Sequence, residues 1–292
     1  MSEFSNKLNI IAHDTNTYLK KIFLKKNQYS HLITPMKYSI FSGGKRFRSA
    51  IIVNAGKIFN IDYKKLIIIG SAVECIHTYS LIHDDLPAMD DDDMRHNQPS
   101  SHVVFGEAQA ILAGDGLQAL AFEILSRDEL IEPAIRIELL KLLAISAYEM
   151  ADGQSIDLSV VLKKVDIELL NNMYKKKTGS LISCAVTFGA LLNNNIDPKD
   201  RNILDSYSNN IGMAYQIQDD VLDVSSSEVV LGKRQNSDLG MGKPTYPAII
   251  GLDESIRAYK ELYKKAIDEI SGLTVNAKPL RKLTEKLMTR DF

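Results

Sequence analysis

Tryptophan is absent from this chain of 292 residues, and cysteine nearly so, with Cys75 and Cys184 the only two. Each stands alone in an apolar segment with no CxxC spacing, which excludes a disulfide framework and suits a reducing cytoplasm. The six histidines form no HExxH pattern and no Cys/His set, so no zinc centre is expected. Neither a GxSxG elbow nor a GxxxxGK[ST] loop occurs, which removes the serine-hydrolase and P-loop readings. Neither sign of charge dominates: 35 Lys and Arg against 37 Asp and Glu leave −2. A general nucleic-acid or anionic-membrane surface is therefore not expected. There is no signal-like N-terminus, and the longest nearly apolar run, 179–192, is interrupted by Ser and Thr and too short for a bilayer. These absences predict a soluble cytoplasmic protein with no nucleic-acid partner and no stable membrane association.

Proline and glycine are also sparse, at 8 and 16, and no stretch alternates with period two between hairpin turns. Helical spacing recurs instead. In 202–222 the residues Leu204, Tyr207, Ile211, Ala214, Tyr215 and Leu222 fall on one stripe. Segment 66–82 is apolar on nearly every side, as a central helix would be, with Glu74 and His77 as exceptions. Further helices are expected near 3–24, 35–41, 49–59, 107–127, 134–152, 167–192 and 254–288. The run 193–200 reads as a turn in which Pro198 and Asp200 suit a helix start. No linker divides the chain, so residues 1–292 read as a single all-α domain, a helical bundle around a central cavity. Two segments resist helix, 86–101 and 225–247, and loops of that length tend to be lids or binding loops.

Both follow an acidic cluster. DDLPAMD (Asp84 to Asp90) and DDVLD (Asp219 to Asp223) each close an apolar helix, where a carboxylate is disfavoured by up to about 1 kcal/mol. Asp219 and Asp223 share a helix face, with Asp220 beside them. Asp84 and Asp90 are six apart across Pro87, so the chain must turn there to bring them together. Two carboxylates about 6 Å apart repel by roughly 3 kcal/mol at an effective dielectric near 20, so the clusters imply cations. Mg²⁺ suits one or two carboxylates plus phosphate oxygens and water. Candidate phosphate partners are Lys45, Arg46 and Arg48 in 43-GGKRFR-48, then Arg95, Lys177 beside Thr178, Lys233 and Lys243.

The runs IHTYSLIHDDLPAMDDDDMR, GGKRFR, KTGSLI, YQIQDDVLD and LGKRQ…GKPTYP, in this order, resemble the trans-isoprenyl diphosphate synthases, most closely the bacterial farnesyl type. The resemblance covers nearly the whole chain, strongly over 38–247. It implies an all-α isoprenoid synthase-type bundle, Mg²⁺ dependence, prenyl diphosphate substrates and a homodimer. By its motifs, Asp84, Asp85, Asp90, Asp219, Asp220 and Asp223 are the metal-binding set, with Asp85 in support and Asp220 and Asp223 acting directly or through water. Arg95, Lys177, Lys233 and Lys243 correspond to the allylic diphosphate site, with Thr178 and Gln216 near the reacting carbon. Gly44, Lys45, Arg48 and His77 correspond to the isopentenyl diphosphate site. Tyr79, about 7 Å below Asp84 along the helix, would floor the cavity after three isoprene units. Longer products, or a non-catalytic subunit of a two-chain synthase, are the competing readings; intact aspartate motifs disfavour the second.

The chain departs from the family pattern at three places. Where relatives carry two arginines and a glycine after the first cluster, this sequence has Arg95, His96 and Asn97. The second arginine grips isopentenyl diphosphate, so His96 at an ordinary pKa near 6.5 predicts binding that tightens toward pH 6. Ser49 stands where proline is usual, a small change at a helix start, and Gly116 lowers helix propensity by about 1 kcal/mol.

Overall fold

In a computed structural model the described residues are 3–26, 29–193, 196–225, 240 and 242–290. They form the expected all-α bundle. The central helix is α4 (Tyr63–Asp84), started by Asp62, whose carboxylate accepts from the amides of Lys64 at 2.8 Å and Lys65 at 3.4 Å. By length and composition α4 could cross a membrane, a property the run 179–192 lacks, but 72% of its apolar window is buried in the protein. Its flanks meet α1 (Glu3–Leu24), α3 (Phe47–Lys57) and α6 (Glu107–Arg127); α2 (Ile33–Phe41) packs beside α6.

The expected irregular segment 86–101 contains a small antiparallel ladder, Met94–Arg95 against Gln98–Pro99. Its two-residue turn is His96 and Asn97, both left-handed at φ 51° and 61°. A hairpin turn of this hand favours Asn or Gly at its second position, so Asn97 replaces glycine with little strain. A short helix, α5 (Ser101–Phe105), follows.

Helix α7 (Pro133–Ser159) runs seven residues past the expected end at 152. Gly153 resembles a terminator, yet it lies inside the helix because another backbone presses on it. A Cβ there would come 2.2 Å from the Lys177 nitrogen. The expected helix 167–192 is three pieces: α8 (Ile167–Tyr174), a π-helical turn (Lys175–Gly179) and α9 (Ser180–Leu191). Gly212 of α10 (Pro198–Ser225) closes on the same turn from the other side, where a Cβ would meet the Gly179 Cα at 2.9 Å. Helix α10 starts at Pro198 as expected.

The expected helix 254–288 is also broken. After α11 (Tyr246–Ile250) come α12 (Leu252–Ile270) and α13 (Lys278–Met288), separated by a turn around Gly272. Buried Asp200 pins that turn by accepting from the Thr274 amide at 2.9 Å and from its hydroxyl. Helix α12 packs along α10, and α13 returns to α3, which brings the chain's end to the second aspartate cluster.

Candidate active site

The turn after α4 has the required shape. The Asp90 amide donates to the Asp84 carbonyl at 2.8 Å, and Met89 and Asp91 donate to the Leu86 carbonyl at 2.8 and 3.1 Å. The first cluster is thereby folded back on itself. Burial, and then Asp90 and Asp85 against the opposing charges of Lys177 and Arg95, push the Asp84 carboxyl up to about 7. Asp85 faces the other way, accepting from Arg95 Nε at 3.0 Å and from its Nη2, while Asp92 lies 3.3 Å from Nη2. Burial works against the Arg95 charge, but Asp85, Asp92 and Asp84 outweigh it and hold the guanidinium fully ionised. Asp85, expected in support of the metal-binding set, here supports Arg95.

On the π-helical turn two consecutive side chains face the two clusters. Lys177 Nζ donates to Asp157 Oδ2 at 2.5 Å, and its charge is felt at Asp84. Thr178 Oγ1 donates to Gln216 Oε1 at 2.5 Å, one turn before the second cluster. A π turn offsets successive side chains from the α-helical register, and such insertions recur at functional sites. Of the expected irregular segment 225–247, residues 226–239 and 241 lie outside the described residues; Lys243, just before α11, places Nζ 2.8 Å from Asp90 Oδ1 and 3.4 Å from Asp157 Oδ2. Lys233 lies outside the described residues.

The second cluster divides its labour. Asp219 pairs with Arg290. Asp220, expected in the metal set, is almost fully buried and turned to protein donors: Gln216 Nε2 at 3.2 Å, the Tyr246 amide at 2.9 Å and the Tyr174 hydroxyl. It anchors the Thr178–Gln216 pair and the start of α11. Asp223 sits one turn further on, also buried.

The residues expected to hold isopentenyl diphosphate gather around the start of α3. Gly43 and Gly44 are left-handed at φ 133° and 87°, and Arg46 at 48°, which turns the loop into the helix N-terminus. Arg48 is buried, and its Nε has no hydrogen-bond partner among the described residues. A buried, unsatisfied guanidinium nitrogen beside a helix N-terminus suits an anion. Lys45 is exposed on the same loop. Arg46, grouped with these cations from the sequence, points into the core instead: its Nε donates to Asn16 Oδ1 at 2.9 Å, and Nη1 lies 3.7 Å from Glu74. Glu74 also accepts from the Ser49 amide at 2.9 Å. Proline has no N–H, so Ser49 makes a bond the usual residue cannot.

His77 and His96 sit among these cations. Burial, then Arg48, His96, Arg46 and Arg95, hold His77 well below its ordinary pKa, so it is neutral. The His96 ring lies along the Gly43–Gly44 backbone. Enclosure of that ring by neighbouring atoms, then Arg95 and Arg46, hold it down to about 4, although the turn itself is exposed. The two guanidiniums alone favour that direction. The expected protonation near pH 6 is corrected: His96 is neutral down to about pH 4. The Michaelis constant for isopentenyl diphosphate is therefore expected to stay flat between pH 6 and 8, apart from titration of the substrate itself. His96→Arg should lower it about fivefold at pH 7.5, as a charged hydrogen bond would. A wild-type constant that falls severalfold toward pH 6 would contradict the neutral imidazole.

Tyr79 is half-buried on the side of α4 that meets α6, edge-on to His83 with ring centroids 5.3 Å apart, and bonded to Gln118.

Two further charged groups reach the site without a motif to mark them. Asp157 belongs to the stretch of α7 beyond Gly153. Arg290, near the chain's end, donates through Nε to Gln218 at 2.9 Å and lies 3.7 Å above the Tyr215 ring, which stacks on Phe47. A terminal arginine carries no motif, so no local signal marked it.

Among the described residues no three metal-ligating side chains converge as a ready-made cage. The donors nevertheless fit Mg²⁺, which is held by few carboxylates and completes its shell with water and phosphate oxygens. Burial raises the Asp84 carboxyl, and a cation beside it would favour its ionised form. Lys243 and Arg290, resting on Asp90 and Asp219, occupy positions where a cation is stabilised.

Comparison with known proteins assigns the family. The polyprenyl synthetase family model matches residues 29–277, and the chain belongs to that family. It is 40% identical over 271 residues to the farnesyl diphosphate synthase of Escherichia coli (strain K12), covering 90% of this chain and 91% of that one. It is also 40% identical over 262 residues to a geranylgeranyl diphosphate synthase of Cyanophora paradoxa, covering 88% and 86%. Among solved structures, the Helicobacter pylori geranyltransferase complexed with magnesium and isoprenyl diphosphate superposes with a TM-score of 0.87 at 27% identity, covering 99% of this chain and 97% of that one.

Proposed function

We propose that this chain is a magnesium-dependent prenyltransferase that joins isopentenyl diphosphate head-to-tail to dimethylallyl and then geranyl diphosphate, yielding (2E,6E)-farnesyl diphosphate. The observation that carries the reading is the π-helical turn, whose adjacent Lys177 and Thr178 face the first cluster and the approach to the second. An allylic diphosphate bound there meets lysines, Arg95 and carboxylates from both sides.

Asp84 and Asp90 on one side and Asp219 on the other would hold Mg²⁺, which supplies positive charge against the departing diphosphate. Lys177, Lys243 and Arg95 bind the same leaving group, and fixed charges of this kind need no reorganisation as the C1–O bond breaks. Thr178 and Gln216 present oxygen dipoles beside the allylic carbon, where the cation develops. Arg48, Lys45 and the Gly44 backbone orient isopentenyl diphosphate so that its double bond attacks that carbon. No side chain is assigned as base; the released diphosphate accepts the proton.

Product length is assigned to Tyr79. The similarity to a geranylgeranyl-type relative keeps the longer-product reading open, and one substitution separates the two. Tyr79→Ala should move the main product from C15 to C20 or longer, read by chromatography of dephosphorylated products. An unchanged C15 profile would remove Tyr79 from the floor. The activity itself is tested by incubating purified protein with Mg²⁺, radiolabelled isopentenyl diphosphate and each allylic primer. Labelled C15 that disappears on chelation is expected; no product with any primer would defeat the reading.

A homodimer in the cytoplasm completes the proposal. The exposed apolar side chains Val103, Val104, Ile111 and Leu112 on α5 and α6, and Ile145 and Tyr148 on α7, support it.

A further inference from the structure

Two ammonium groups share one buried carboxylate oxygen between α7, the π-helical turn and the residues just before α11. Lys177 Nζ lies 2.5 Å and Lys243 Nζ 3.4 Å from Asp157 Oδ2, and the Asp157 side chain is only 5% exposed. One turn earlier, Gln154 Nε2 donates to Asp90 Oδ1 at 3.4 Å, the oxygen that also receives Lys243 at 2.8 Å. Gly153 allows this contact, since any side chain there would push the Lys177 backbone away.

We propose that Asp157 is a positioning residue, holding Lys177 and Lys243 side by side as the cationic cradle into which the allylic diphosphate settles. This rests on the reading of those lysines as diphosphate-binding groups. Two ammonium groups about 5 Å apart repel by roughly 3 kcal/mol at an effective dielectric near 20. Without a carboxylate between them they would part, and one would lose its place before substrate arrives. With Asp157 present, the geometry is set in advance, and the diphosphate inherits two aimed donors. The carboxylate is itself held ionised, because the two lysines outweigh the cost of its burial. Gln154 extends the arrangement to the first aspartate cluster, so one helical turn of α7 supports both the lysines and Asp90. Asp157 touches neither substrate nor reacting carbon and acts only through the lysines.

The test is calorimetric binding of inorganic pyrophosphate with Mg²⁺ to the full-length protein, alongside steady-state kinetics. Asp157→Asn should weaken pyrophosphate binding about tenfold and lower kcat with geranyl diphosphate by about 10- to 100-fold, as displaced groups do. The Michaelis constant for isopentenyl diphosphate should move less than about twofold, because its residues lie on other elements: the start of α3 and the loop before it, α4 and the hairpin turn. In a Lys177→Met background, Asp157→Asn should add less than about twofold, since groups acting through one another are not additive. Asp157→Glu keeps the charge but shifts it by a methylene, and an intermediate loss is expected; it also serves if the Asn variant does not fold. Independent, multiplying effects of Asp157→Asn and Lys177→Met, or full wild-type affinity in Asp157→Glu, would overturn the positioning role. Coupled pyrophosphate binding without any prenyl product would sink the proposed reaction and leave this role standing. Normal product formation with uncoupled effects would do the reverse.

Discussion

Asp84→Asn is expected to lower turnover about a thousandfold, or roughly 4 kcal/mol of barrier, while making the metal-free protein harder to melt. Both effects have one cause. The carboxylate is pushed up to about 7 by burial and by Asp90 and Asp85, from an ordinary value of 3.8. A group whose folded pKa is raised adds no penalty below its unfolded pKa. Its cost to the folded state grows as pH rises from 3.8 and is complete above about 7. At about pH 8 in chelator, the ionised Asp84 is a burden the native chain carries for its ligand, and the neutral amide removes it. The thermal midpoint of Asp84→Asn should therefore exceed wild type there, with the gain shrinking toward pH 5. Mg²⁺ with pyrophosphate should reverse the order, stabilising wild type more than the variant. A variant that melts below wild type in chelator at pH 8 would show that the cluster is satisfied without a cation. Stability given up for function at a charged site is a general pattern, and this cluster is where the present chain would follow it.

What could be read from the sequence follows from how local each signal is. The aspartate spacings, the glycines before α3, the break at Pro87 and the start of α10 are written within a few residues. They appear in the fold as expected, including the return of Asp90 onto Asp84. What escaped depends on contacts between distant segments. Gly153 looks like a stop because glycine disfavours helix, yet the π-helical turn packs on it and α7 continues to Asp157. Arg46 and Arg48 lie two residues apart in one basic motif, and only tertiary packing decides that Arg46 belongs to Glu74 while Arg48 is buried with its Nε unpartnered among the described residues. Asp220 sits between two similar neighbours, and its partners Tyr174 and Tyr246 lie on other elements. Arg290 reaches the site because α12 and α13 fold back at Gly272, a turn stabilised by Asp200 from α10. The pKa of His96 is likewise a tertiary quantity, set by Arg95 and Arg46 together with the atoms enclosing its ring.

Gly153→Ala should cost about a hundredfold in kcat with only a modest loss of stability, the second large effect expected of this chain. The added Cβ would stand 2.2 Å from the Lys177 nitrogen, 2.5 Å from its Cα and 2.8 Å from the Lys176 carbonyl carbon. All three are backbone atoms, so the π-helical turn must move as a unit and take Lys177 and Thr178 with it. Overpacking of this kind costs about 1–3 kcal/mol, and alanine returns about 1 kcal/mol of helix propensity, so the net destabilisation is small. A shift near 1 Å at groups that hold a leaving group is enough for a loss of about two orders of magnitude. Gly116→Ala is the matched control. Its Cβ meets Met36 Sδ at 2.9 Å and Leu32 Cδ2 at 3.2 Å, the movable ends of side chains rather than backbone. Methionine adapts to such changes, so activity should stay within about twofold and stability near wild type. Comparable activity in the two variants would mean that the approach of α7 to Lys177 is incidental. Loss confined to Gly153→Ala would tie turnover to a contact between two helices that no motif marks.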